Sequence, residues 1–119
     1  MLEDGIYGLR FVASHGDEEG QGGGLAVLRK GNVLGSDPLG AVFTGTYEFD
    51  AKRQLNRVRL RLDVPSDGVL LTGFAAGPHG ATLHVAGAFP GASVDTTAFL
   101  QIAGAPMGVE IRYLGPLPN

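Results

Sequence analysis

The stretch Arg57-Val58-Arg59-Leu60-Arg61-Leu62-Asp63-Val64 alternates charged and aliphatic residues without a fault. Successive side chains of an extended strand point to opposite faces, so the charged residues share one side and the aliphatic ones the other. A helix would spread Arg57, Arg59 and Arg61 around its axis and leave no continuous apolar stripe. The segment reads as a half-buried β-strand.

The same period recurs along the chain. Residues 6–13 place Tyr7, Leu9 and Phe11 on one side, and residues 41–49 place Phe43, Tyr47 and Phe49 opposite Thr44, Thr46 and Glu48. Residues 81–89 group Leu83, Val85 and Phe89, and residues 108–114 group Val109, Ile111 and Tyr113. Between these runs stand turn formers: Lys30-Gly31-Asn32, Ser36-Asp37-Pro38, residues 50–53, Pro65-Ser66-Asp67-Gly68, Gly77-Pro78-His79-Gly80 and Phe89-Pro90-Gly91. Each supplies a positive φ, a fixed φ or an Asx turn. Strands are expected over 5–13, 22–29, 32–36, 41–49, 54–64, 69–75, 81–89, 97–103 and 108–114. Such short spacing leaves no room for helical crossovers and predicts an all-β antiparallel fold of about eight strands. Closure into an up-and-down barrel, rather than a sandwich, would remove the exposed edges of so long a sheet.

Composition agrees with this class. Among 119 residues there are 20 Gly and 7 Pro, which argues against a helical bundle, and 44% hydrophobic residues are too many for a disordered chain. A single domain over 1–119 is expected. The formal net charge of −3 offers little to a nucleic-acid backbone. With no Cys there is no disulfide framework, zinc-thiolate site or thiol chemistry. The opening residues Met1-Leu2-Glu3-Asp4-Gly5 have neither a basic nor an apolar leader character, and no apolar run reaches the length of a membrane-spanning helix. A cytoplasmic location away from membranes is therefore expected.

Several motifs suggest chemistry and lose to simpler accounts. Gly20, Gly22, Gly23 and Gly24 resemble a phosphate loop, but no helix and no Lys-Ser/Thr pair follows, so they read as glycines of a bulge or close backbone approach. Ser14, His15 and Asp17 lie too close in one loop to align as a triad, and His84 sits alone in a strand. Asp17, Glu18 and Glu19 lack the alternating spacing of a calcium loop. Neither a catalytic residue nor a cofactor or metal is expected.

Three features point to binding. Arg57, Arg59 and Arg61 form a ladder about 14 Å long on one strand face, suited to an acidic partner or a ligand carboxylate unless Glu48 or Glu110 pairs with it. Residues 69–75 and 98–103 are apolar on both faces, so a second copy is expected to cover them, with Leu70 and Phe99 as candidate contacts; the alternative cover is a loop or the Pro-rich tail of residues 115–119. An eight-stranded barrel can be filled by its own side chains or hold one small ligand. If Gly45, Gly73, Ala75 and Gly87 point inward beside Tyr7, Phe43 and Leu83, an apolar pocket follows; the alternative is that large neighbours fill the gaps.

Taken together, Asp4-Gly5-Ile6-Tyr7, residues 22–29 ending at Lys30-Gly31, Leu34-Gly35-Ser36-Asp37 and Phe43-Thr44-Gly45-Thr46-Tyr47 resemble the GrlR-like family, named for a negative regulator of type III secretion. Residues 81–89 and 108–111 continue the likeness, which spans nearly the whole chain. The resemblance implies a lipocalin-like barrel, a homodimer, and a regulator that sequesters a protein partner without touching DNA. The namesake's acidic run has no counterpart, since residues 48–53 read Glu-Phe-Asp-Ala-Lys-Arg, and its GGD turn is Gly35-Ser36-Asp37. The expected function is a non-enzymatic regulatory binding module, with Arg57, Arg59, Arg61, Leu70 and Phe99 as the partner surface. The alternative is a carrier of a small, fatty-acid-like apolar ligand lined by Tyr7, Phe43 and Leu83.

Overall fold

The computed structural model describes residues 2–15, 18–37, 40–69, 75–90, 96–102 and 104–118. They form eight strands: β1 (Gly5–His15), β2 (Glu18–Arg29), β3 (Asn32–Ser36), β4 (Val42–Asp50), β5 (Leu55–Val64), β6 (Ala81–Pro90), β7 (Thr96–Ile102) and β8 (Ala105–Gly115). All join one sheet in the order β6-β5-β4-β3-β2-β1-β8-β7, and every ladder is antiparallel. The chain is thus an up-and-down meander curled into a nearly closed barrel, with β8 returning to β1. The seam lies between β6 and β7, which sit side by side without a pairing ladder among the described residues.

Local chemistry fixes the corners. Lys30 and Gly31 both have positive φ, 48° and 84°, and join Arg29 to its partner Asn32 in the tight turn that suits the twist of a hairpin. The Asp50 carboxylate accepts the backbone N–H groups of Lys52 and Arg53, both at 3.1 Å, and shapes the β4–β5 turn.

The chain makes an excursion between β5 and β6, in which residues 70–74 of the expected strand over 69–75 lie outside the described residues. At the edges of that stretch Val69 and Ala75 form an isolated antiparallel bridge. Backbone bonds from Gly68 to Pro65, Ala76 to Gly68 and Asp67 to Gly77, with Ser66 Oγ donating to the Pro78 carbonyl at 2.6 Å, tie the excursion to itself. Ala75 is exposed rather than inward. Leu70 and Gly73 lie outside the described residues.

Alternation holds along the other strands. On β5, Asn56, Val58, Leu62 and Val64 are buried while Arg57, Arg59 and Arg61 are exposed. Tyr7, Ala26, Leu28, Val33, Phe43, Val85, Phe89 and Val109 join them in one core inside the wall. Small inward residues let this tight barrel close. A Cβ at Gly87 would overlap the Leu100 side chain, so β7 seats against β6 through that gap. A Cβ at Gly35 would likewise meet the Phe43 ring, and one at Gly45 the Arg59 backbone. At these positions neighbours occupy the room that glycine leaves, as the second account of the small residues expects.

Candidate functional site

Neighbouring side chains fill those local gaps, yet the barrel axis stays hollow. A cavity of about 120 Å³ runs through the interior, and every strand contributes apolar side chains to its wall. Tyr7, Leu28 and Val33 line it from one side, and Phe43, Val58, Val85, Leu100 and Val109 from the others. The period of two in each strand puts these groups on one face of the sheet, and the curling of the sheet into a barrel turns that face inward.

Polar atoms are held at the rim. Tyr47 lines the cavity with its ring, and its hydroxyl donates to Asp4 Oδ1 at 2.6 Å. Tyr7 packs edge-on against Tyr113 with centroids 5.4 Å apart, and its hydroxyl donates to the Glu3 carbonyl at 2.7 Å. Burial pushes both phenols up to about 12, and the bond to Asp4 adds to the effect at Tyr47. The Tyr47 hydroxyl and then the Lys30 N–H hold the Asp4 carboxyl below its ordinary range. Asp37 borders the cavity elsewhere, with Oδ1 accepting the Ala41 N–H at 3.0 Å. Apart from these groups the wall is apolar, which suits an apolar guest.

Two of the three expected lining residues, Tyr7 and Phe43, are on this wall. Leu83 is not. It stands opposite Leu62, which does line the cavity, and packs, partly buried, against the core. Leu2 and Asn56 escaped the sequence reading. Asn56 occupies an inward register of β5 and is 0% exposed; a polar residue in phase with the aliphatic face was the available signal. Leu2 carried none, because it precedes the first periodic segment.

The arginine ladder lies on the outer face as expected, with different partners. Arg57 stands opposite Glu48 but pairs with Asp50 at 3.3 Å, and Arg61 pairs with Asp63 at 3.1 Å. Glu110 is taken by Arg10 across the β1–β8 ladder at 3.2 Å. The Arg53 N–H, ahead of Arg57, lowers the Asp50 pKa, and the Thr82 hydroxyl, ahead of Arg61, lowers that of Asp63. Arg59 has no ion pair among the described residues and is flanked by Thr46 and Ala86, whose short side chains leave it standing clear. His84 is exposed on the same face opposite Arg61.

Phe99 lies in β7, but its side chain is outside the described residues. The outer wall carries other apolar groups: Leu25 is 55% exposed, Leu34 56% and Val42 41%. Val27 stands opposite Leu34, and Ser36 opposite both Leu25 and Val42, so the three exposed groups occupy neighbouring positions of β2, β3 and β4. Gly22–Gly24 belong to strand β2, where a Cβ at Gly24 would sit 2.5 Å from the Ser36 carbonyl oxygen. This is the close backbone approach expected of the glycine run. The chain matches no protein-family model and no curated protein sequence.

Proposed function

We propose that the protein is a non-enzymatic binding module whose barrel receives one small apolar molecule, of the size of a single aromatic ring or a short alkyl chain. The observation that carries this is the apolar cavity of about 120 Å³ inside an otherwise closely packed barrel. A protein cavity of about 150 Å³ lined by aliphatic and aromatic groups takes up benzene, so the two are of one scale. This size favours a ring-sized guest over the long acyl chain of a fatty acid. A wall that is apolar except at Asp37 and the tyrosines supports the same reading.

Calorimetry with benzene and toluene, together with melting curves at rising probe concentration, tests it. Binding to the folded state alone raises the melting temperature by mass action, by about 2.7 kcal/mol of stability at a hundredfold excess over Kd. No heat and no rise at millimolar probe would overturn the reading.

A second reading follows the resemblance to the GrlR-like regulators: the outer face of β5 docks an acidic protein partner. Arg59 favours it, being a cation without an ion pair among the described residues, between two neighbours that have one. The two readings are compatible, since one uses the inside of the wall and the other the outside.

A further inference from the structure

The strands do not supply the whole lining of the cavity. Leu2 precedes β1, is 4% exposed and lies on the cavity lining. Its backbone N–H donates to Asn56 Oδ1 at 3.0 Å, and the Asn56 amide donates to the Phe89 carbonyl at 3.4 Å, which fixes which way the acceptor faces. The next two residues are also gripped: Glu3 through its carbonyl by Tyr7, and Asp4 by the Tyr47 hydroxyl and, at 3.1 and 3.2 Å, the Lys30 N–H. The ladders of β1 begin at Gly5 and Ile6, so none of these bonds serves strand pairing. What they hold in place is the Leu2 side chain.

We propose that Leu2 is the end stop of the cavity and sets the length of apolar ligand that the barrel accepts. The inference rests on the barrel's being a receptor for such a molecule. The isobutyl group of Leu2 occupies space continuous with the cavity, and trimming it lengthens the cavity by about a propyl unit. The anchored segment keeps its backbone bonds when the side chain is shortened, so the added room is defined space and not a frayed end.

Titration calorimetry with toluene and n-butylbenzene tests the assignment on the full chain. Toluene binds more tightly to the unaltered protein. In Leu2→Ala the ratio of the two affinities moves toward n-butylbenzene by about tenfold or more, because each buried methylene favours binding severalfold. Leu2→Met, which conserves volume, keeps the original preference. An unchanged ratio in folded Leu2→Ala overturns the end stop. If that variant does not fold, Leu2→Val with ethylbenzene against toluene takes its place. Xenon under pressure in crystals of both proteins separates the two ideas. A new xenon site beside Asn56 in Leu2→Ala supports the end stop even where neither aromatic binds the parent, and then only the receptor reading falls. Xenon in the parent cavity with no added site in the variant overturns the end stop.

Discussion

The two faces of β5 are built from alternate residues of one strand and obey different rules. Inward, Asn56, Val58, Leu62 and Val64 are buried, and each must match the volume and hydrogen bonding of fixed neighbours. Outward, the side chains of Arg57 and Arg61 stay 49% and 58% exposed, so water competes for every pair they make. The inner face therefore determines stability and the shape of the cavity, while the outer face is free to carry charge for a partner at little cost to folding.

The sharpest break in that contrast is Asn56→Ala. The change leaves the Leu2 N–H and the Phe89 carbonyl without their buried partner, and an unmet buried polar group costs about 1–3 kcal/mol. A loss of about 2–3 kcal/mol in urea unfolding, with the slope unchanged, is expected. A loss below 0.5 kcal/mol, the size of a surface change, would mean that the inner face is not strictly constrained at its end.

Tyr47→Phe comes next, because it keeps the ring on the cavity wall and removes only the hydroxyl bond to Asp4. About 1 kcal/mol is expected. Its pH dependence is more telling. Tyr7 and Tyr47 are both raised from 10.0 to about 12 in the folded protein, so their contribution is complete below pH 10 and is lost as the pH climbs from 10 to 12. Asp4 is lowered from 3.8, so its contribution is present above that value and is lost as the pH falls below it. The variant should lose one of two late phenolate steps in an absorbance titration and return the Asp4 carboxyl toward its ordinary range. Two late steps surviving in Tyr47→Phe would place the second phenol elsewhere.

The same contrast explains what was legible in the sequence. Period-two alternation in Arg57 to Val64 and around Tyr7 and Phe43 carries strand, face and barrel together, because every residue on one face shares one fate. It does not carry end effects. Leu83 has the right phase and packs against the core, yet its partner Leu62 lines the cavity and Leu83 does not, a distinction that phase alone does not make. Apolar content in the 69–75 stretch suggested a strand, and of it only Val69 and Ala75, which bridge each other, are described. Leu2 and Asn56 meet across a sequence separation of 54, a contact no local pattern encodes.

The smallest effect on folding belongs to the outer face. Arg59→Glu replaces the one ladder arginine without an ion pair among the described residues, and its neighbours Thr46 and Ala86 offer nothing to lose. Stability should shift by less than about 0.5 kcal/mol. Binding to an acidic partner should nevertheless weaken, most strongly at low salt, because the change reverses a charge in a strip flanked by Arg57 and Arg61. The reversed charge also lies near enough to both arginines to draw them from Asp50 and Asp63, so Arg59→Gln, which only neutralises, separates the loss of the charge from rearrangement of its neighbours. A partner that loses affinity with Glu and not with Gln reads the rearranged strip; one that loses it with both reads Arg59 itself. Affinity unchanged in both variants would remove this face from the docking surface and leave the interior as the only functional half of the wall.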